Sequence, residues 1–420
     1  MLRKILCITA VGALATACSD NTGSTGAPLA RLVSNSSAVN AEIVPNEYVV
    51  VLKTDGAGVA AEAGRIRALG GTVLSEWNEG LIGMGIRIPA SKLDAVRRNP
   101  NVAYVEAVQM YHADAQQPCV NPGFLFGCSW GWDRVSDRSL PLNNLKAHYP
   151  NGGVGVKIYD IDTGILLTHT EFTGRANYLF DEVGNDPIAD DCNGHGTYTA
   201  SIAAGINYGF ADDAQIWASR VLDCNGNGTT IDVIDGINRV TSDHLAGQPA
   251  VANMSLGGGV SVAMNAAVAA SVADGVTYAV SAGNNNTDAC FQSPASEPSA
   301  NTLGATGNDP GFATPPAFPD QEANYSNHGT CLDGYAPGTN ILGAWFTSTT
   351  AGVIGSGTSM SAPHFAGIAA VYLANNPGKT PTQIHNAIWN YATSGAVQMI
   401  GPGSPNKLLH NSVPSVAFTP

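Results

Sequence analysis

The sequence predicts an α/β protein in which a mostly parallel central sheet carries helices on both faces, preceded by a small α+β unit. Three observations point there. From Val154 onward short apolar strands alternate with Gly-rich turns and Ala-rich helices, the alternation that builds a parallel sheet. Ahead of it, a strand–helix–strand–strand–helix–strand order fits a stretch of roughly 60 residues. Apolar residues make up 44%, enough for a sizeable core, which excludes a disordered chain. Charged residues are only 12% against 48 Gly and 24 Pro, which argues against a coiled coil or a helical solenoid.

In chain order, Met1–Lys4 holds two positive charges and Ile5–Ala17 is an apolar run ending in Ala15-Thr16-Ala17-Cys18. A basic start, a short apolar stretch and a small-x-small end make residues 1–18 an export signal, too short to span a membrane comfortably. Ala17-Cys18 also resembles the lipobox of bacterial lipoproteins, whose cysteine is acylated. Ala15 stands where Leu is usual, so ordinary cleavage after Ala17 is the alternative. Residues 19–45 are small, polar and aperiodic and read as a flexible tether.

Residues 46–112 form the small unit. Asn46–Lys53 is strand-like, Val59–Leu69 helical, and Gly71–Trp77 with Gly80–Ile88 a hairpin. Ser91–Asn99 follows as a short helix capped by Ser91, and Val102–Val108 as a last strand. The pattern suits a ferredoxin-like unit and a generic small binding domain equally. In the body, residues 113–420, the core strands are Val156–Ile161, Gln215–Val221, Ala250–Met254, Val276–Val280 and Thr302–Ala305. Its helices are Tyr198–Ala204, Ile231–Ala246, Val262–Ala273, Ser361–Asn375 and Thr382–Ala392. Sites in such sheets lie at the carboxyl ends of the strands.

Charge is unevenly spread. Residues 1–113 carry 10 Lys/Arg and 9 Asp/Glu, leaving 9 and 24 for the body, a net −15 against −14 for the whole chain. So acidic a body repels nucleic acid and attracts hard cations. Beyond Cys7 and Cys18 the cysteines are Cys119, Cys128, Cys192, Cys224, Cys290 and Cys331, with no Cys-x-x-Cys spacing for zinc. Disulfides in an oxidising compartment are the better reading, and spacing alone leaves their pairing open.

Three short motifs sit at element ends. Asp162-Thr163-Gly164 closes a strand, Asn193-Gly194-His195-Gly196-Thr197 precedes an Ala-rich helix, and Gly357-Thr358-Ser359-Met360-Ser361-Ala362-Pro363 opens another. Singly, these are a turn, a core histidine and an N-cap. Together, in the order Asp, His, Ser within one α/β domain, they match the chain order of a subtilisin-type triad.

From about Trp130 to Leu409 the sequence resembles the subtilisin-like serine proteases, most closely the proteinase K branch with its aqualysin-like bacterial members. Trp130-Gly131-Trp132-Asp133-Arg134, Arg220-Val221-Leu222-Asp223-Cys224, Ala252-Asn253-Met254-Ser255-Leu256-Gly257-Gly258, Ser281-Ala282-Gly283-Asn284 and Ser293-Pro294-Ala295-Ser296 carry the likeness. The resemblance implies a subtilisin-like fold and a serine endopeptidase. Ser359 is the expected nucleophile, His195 the base, Asp162 its orienting carboxylate and Asn284 the side-chain donor to the oxyanion. Polypeptide substrates would add as a strand between Gly226-Asn227-Gly228 and Ser255-Leu256-Gly257, with Ala282-Gly283 walling the pocket before the cleaved bond. No charge appears in these segments, so a broad specificity with an apolar preference is expected.

The small unit then resembles the inhibitory propeptide of the family, a folding aid and intramolecular inhibitor, with autoprocessing between about Tyr111 and Gln117. An anchor at Cys18 would leave with it, giving a mature monomer that is extracellular or periplasmic and not membrane-bound. The resemblance also implies structural Ca2+ at Pro298, Ala300 and Asp333, and a second site at Asp133 and Asp137, where Ser136 replaces a common acid; no organic cofactor is expected. It implies disulfides Cys192–Cys224 and Cys290–Cys331, leaving Cys119–Cys128. Asp160 departs from the branch, whose residue there is a buried aliphatic; alternation points it to the side of Asp162, so it needs a donor or a shifted pKa. Tyr198 replaces a histidine, Ser201 a glycine, and Gly307–Ala323 is a Pro-rich insertion. The rival readings are a catalytically silent binding protein of the same fold and a Ser-His-Asp esterase, the latter lacking its Gly-x-Ser-x-Gly elbow.

Overall fold

The computed structural model describes residues 29–33, 41–53, 57–114, 116–119, 130–140, 142, 151–307 and 320–411. Among these, the central sheet has the strand order Thr393–Ser394, Lys407–Leu408, Gly334–Pro337, Asn301–Thr306, Thr277–Ser281, Ala250–Met254, Lys157–Asp162, Gln215–Arg220 and Ala176–Asp181. All neighbours are parallel except the first pair. The three middle strands from Asn301 to Met254 are buried along their whole length, as a parallel sheet covered on both faces requires.

Successive residues of Lys157–Asp162 serve opposite cores, Ile158 on one face and Tyr159 on the other. Helices His195–Ala204, Thr358–Asn375 and Pro381–Tyr391 cover the first face through Ala200, Phe365, Ile368 and Trp389. Helices Thr230–Asp243 and Val262–Asp274 cover the second through Ile234, Ile237 and Val268. The sheet also holds strands the periodicity did not reveal, because the edge strand Ala176–Asp181 and the inner strand Gly334–Pro337 lack a run of β-branched residues.

The small domain is an antiparallel sheet ordered Val102–Ala113, Ile43–Leu52, Gly83–Arg87 and Thr72–Trp77, backed by helices Ala57–Ala68 and Leu93–Arg97. Its own core includes Val50, Ile66, Met84, Ile86, Val96 and Val105. Two expectations are corrected here. The tether at 19–45 contributes structure: Arg31–Val33 adds to the sheet in parallel beside Tyr104–Glu106, fastened by Ala30 donating to Arg97 O at 2.8 Å, and Ile43 already lies in a strand. Ser91 caps nothing. The chain enters a 3-10 turn, Ala90–Lys92, from Pro89 at φ −56, and only then becomes helical.

The decisive difference is the length of the last strand. Expected to stop at Val108, it runs to Ala113 and leaves its own domain. Its end lies between strands Asn227–Thr229 and Leu256–Gly259 of the body, antiparallel to both. Of the insertion 307–323, most lies outside the described residues; Asp320 holds the buried Arg134 guanidinium with contacts of 2.5 and 2.9 Å.

Candidate active site

Asp162 ends its strand at the carboxyl edge of the sheet, fully buried, with Oδ1 accepting from Thr163 N at 2.7 Å. His195 is the first residue of its helix. Gly194 before it has φ 110, and a Cβ there would strike the Trp345 and Phe346 rings at 2.6–2.7 Å, so the tight approach is possible only for glycine. His195 Nδ1 lies 2.7 and 2.9 Å from the two carboxylate oxygens of Asp162. A ring nitrogen facing a carboxylate carries the proton, which leaves Nε2 as the basic lone pair. Nε2 is buried and has no hydrogen-bond partner among the described residues. Burial disfavours the imidazolium, but Asp162, with Asp191 and Asp114 behind it, raises the His195 pKa above the usual value.

Ser359 is the second residue of helix Thr358–Asn375, and its Oγ donates to Ser255 O at 3.1 Å. Above that helix start sits the carbonyl of Asp114, the residue that follows the long strand. Asn284 Nδ2 donates to Asp114 O at 2.6 Å and Ser359 N at 3.4 Å. The Asn284 amide is oriented from its other end, where Oδ1 accepts from Thr358 N and Thr358 Oγ1 at 2.9 and 3.0 Å. Two donors converging on one carbonyl oxygen next to a hydroxyl is the geometry that stabilises a developing oxyanion.

The expected edges flank the same segment. Ala113 N donates to Gly226 O at 3.0 Å and Asp114 N to Ser255 O at 3.1 Å. Asn227 and Gly228 face His112 and Tyr111 on one side; Leu256 and Gly257 face Ala113 and His112 on the other. Ala282 is buried beside Asn284, and Gly283 N donates to Thr358 Oγ1 at 3.1 Å. The pocket that was expected to favour apolar side chains holds a carboxyl: Asp114 Oδ2 lies 2.8 Å from Ser281 Oγ.

Sequence reading missed three contributors. Asp191 accepts from Asn193 N, Gly194 N and Thr197 N at 2.7–2.9 Å and from Thr163 Oγ1 at 3.0 Å, tying the Asp162 loop to the His195 helix. An acid four residues before a Gly-rich helix start was the available signal. Ser281 and Asp114 are the other two. Asp160 behaves as expected: fully enclosed, it accepts from Asn253 Nδ2 at 2.9 Å and meets Thr199 Oγ1 at 3.2–3.3 Å. Burial and the neighbouring Asp162 raise its pKa well above the carboxylate range. Tyr198 and Ser201 fasten the His195 helix to the hairpin Ile341–Ala344/Gly352–Ser356, since Tyr198 OH donates to Ile341 O at 2.5 Å and accepts from Gly355 N at 2.9 Å. Ser201 Oγ accepts from Ala344 N at 2.8 Å.

Cys192 is bonded to Cys224 and Cys290 to Cys331; the Cys119–Cys128 pairing lies outside the described residues. The residues expected to hold cations lie apart from this cleft. Asp333 Oδ2 accepts from Thr302 N at 2.8 Å, and burial pushes its carboxyl up to about 6. Ala300 is buried while Pro298 is exposed. Asp133 is buried in helix Trp130–Ser136, and Asp137 Oδ2 is a buried oxygen without a hydrogen-bond partner among the described residues. Among the described residues no group of three His, Cys, Asp or Glu side chains forms a metal cluster, so any cation would rely on backbone carbonyls as well.

A buried Asp–His pair, a serine at a helix start and a two-donor oxyanion site define a serine-peptidase arrangement on an α/β sheet. The chain belongs to the subtilase family, whose model matches residues 153–407. It is 41% identical to the extracellular serine proteinase of Thermus sp. (strain Rt41A), over 88% of this chain and 90% of that protein. It is 39% identical to alkaline serine exoprotease A of Vibrio alginolyticus, over 81% of this chain and 60% of that one. A crystal structure of a cold-adapted subtilisin-like serine proteinase superposes with a TM-score of 0.63 at 41% identity, covering 69% of this chain and all of the other. The protein therefore has the subtilisin-like fold and is a serine endopeptidase acting on polypeptides.

Proposed function

We propose that this protease is made as an exported zymogen and cleaves its own chain between Asp114 and Ala115. The observation that carries the reading is the Asp114 carbonyl, held by Asn284 Nδ2 and Ser359 N at the end of a strand continuous with the small domain. In the proposed reaction Ser359 Oγ attacks the Asp114 carbonyl carbon while His195 Nε2 takes the hydroxyl proton. Asn284 and the Ser359 N–H carry the charge on the carbonyl oxygen, and Asp162 stabilises the imidazolium. The C–N bond then breaks, the amine of residue 115 leaves with the proton from His195, and water hydrolyses the ester by the reverse sequence. Other polypeptides would follow the same course, read mainly through backbone pairing with residues 226–228 and 255–257.

On this reading the small domain, extended by two residues to Asp114, is the folding aid and the inhibitor, because its strand end fills the cleft after cleavage. A lipid anchor at Cys18 would depart with it. The mature protein would be a monomer outside the cytoplasm, which agrees with the extracellular relative; no helix among the described residues is long and apolar enough to cross a membrane. For calcium, two separate sites are proposed, one of Asp333 with the Pro298 and Ala300 carbonyls and one of Asp133 with Asp137, whose Oδ2 is a buried oxygen without a hydrogen-bond partner among the described residues. When bound, the ion would supply charge neutralisation and cross-linking of loops, and a chelator would lower the melting temperature.

A silent binding protein of the same fold is the second reading, disfavoured by the intact Asp162, His195, Ser359 and Asn284 constellation. A serine-directed phosphonylating reagent separates them. Processed wild-type protein is expected to gain one adduct on Ser359, and the Ser359→Ala protein none. Processed wild-type protein that stays unlabelled would favour the binder.

A further inference from the structure

The pocket that receives the residue before the cleaved bond is not apolar where it counts. Ser281 is 1% exposed, and its Oγ lies 2.8 Å from Asp114 Oδ2 and 3.4 Å from Leu256 O. Around the same carboxyl the wall is close: a Cβ added to Gly257 would stand 2.7 Å from Asp114 Oδ2. Among the described residues no lysine or arginine interacts with this carboxyl. The titratable groups that face it are His195 and His112, which favour its charge, and Asp162, which opposes it. We propose that Ser281 is a specificity-determining residue, selecting for the position before the cleaved bond a short side chain that ends in a hydrogen-bonding acid or amide, namely Asp as its acid or Asn.

The chemistry of one hydroxyl supports this. Ser281 has a single proton and two lone pairs, and a buried carbonyl, Leu256 O, beside it as an acceptor. A protonated carboxyl or an amide N–H can donate to Ser281 Oγ while Ser281 donates to Leu256 O, so every group is satisfied. An ionised Asp has no proton to give and competes with Leu256 O for the one Ser281 has. Burial raises the Asp114 pKa to about 6 against the Ser281 hydrogen bond and the two histidines, which lower it, so it is the enclosure of the pocket that favours the acid form and the hydroxyl that supplies the partner. A Leu side chain would leave Ser281 without its partner in the pocket, and an unmet buried hydroxyl lowers affinity by about tenfold.

The inference rests on the proposed self-cleavage, and the test separates the two. Full-length precursors carrying Asp114, Asp114→Asn or Asp114→Leu, each with and without Ser281→Ala, are followed by mass spectrometry for the new N-terminus at Ala115, at pH 5.5 and pH 8. The rate ratio of the Asp to the Asn precursor removes the part of the His195 titration that the two share, and the same ratio in the Ser281→Ala background controls for the part that the Asp114 charge itself adds. With Ser281 in place that ratio is expected to fall about tenfold between the two pH values, and Ser281→Ala to slow the Asp and Asn precursors about tenfold while speeding the Leu precursor, whose unmet hydroxyl it removes. Cleavage at Ala115 that is fastest for Leu and indifferent to Ser281→Ala would overturn the pocket assignment alone. No cleavage in any precursor would overturn the self-cleavage reading and the pocket assignment with it.

Discussion

At the scale of single residues, few atoms face the Asp114 carbonyl. Asn284 supplies the shorter of its two hydrogen bonds, 2.6 Å against 3.4 Å. Asn284→Ala is therefore expected to lower kcat by about 10²–10³ with little change in KM, as for other single oxyanion donors; steady-state kinetics on a peptide anilide check it. In the proposed mechanism His195 must be neutral to act as base, and Asp162 and Asp191 raise its pKa above the ordinary value, so activity is expected to fall as pH drops through that raised value. The four residues of the proposed mechanism were legible because each sits in a short Gly-flanked motif. Asp191, Ser281 and Asp114 were not, because each acts through a contact set by folding: a carboxylate binding backbone N–H groups two to six residues ahead, and a serine meeting a residue far away in sequence.

At the scale of elements, the sheet strands with continuous apolar runs were readable, and short or small-residue strands such as Gly334–Pro337 were not. The strand through Tyr111-His112-Ala113 was missed for a different reason. Its register is set by the body edges at 227–229 and 256–259, not by local alternation. Tyr198 and Ser201, which looked like mere departures from the family, prove to be fasteners between the His195 helix and the 341–356 hairpin. Tyr198→Phe would take a hydrogen bond from each of Ile341 O and Gly355 N in the interior. In a Ser359→Ala precursor, where self-cleavage cannot intervene, it is expected to cost about 1–3 kcal/mol, read as a lower unfolding midpoint.

At the scale of the whole molecule, acidity bears on the contact between the two domains. Asp114 in the cleft and Asp235, which accepts hydrogen bonds from Ser75 and Trp77 of the small domain, are both pushed up to about 6 by burial. Asp235 also feels the Asp232 carboxylate, which raises it further, and the Arg239 guanidinium, which opposes the rise. Both carboxyls would revert toward the ordinary value near 4 when the domains part. A pKa raised in the complex means that the complex holds the proton more tightly, so affinity is greatest below the unbound value and is lost as pH rises through about 6. The cleaved small domain is expected to inhibit the body more than tenfold less tightly at pH 8 than at pH 5, because both carboxyls must give up protons that the complex holds more firmly than the separated domains do. Inhibition constants at the two pH values check it. The acidity of the body did not reveal the reaction; the two buried carboxyls at the domain contact bear on when the proposed inhibitor lets go.

The most direct test of the central claim is the N-terminal mass of purified protein expressed from the full chain, wild type beside Ser359→Ala. The account predicts that the wild-type body begins at Ala115 and that the Ser359→Ala chain stays joined across Asp114–Ala115. A wild-type body starting elsewhere, or a Ser359→Ala chain cut at the same bond, would contradict it.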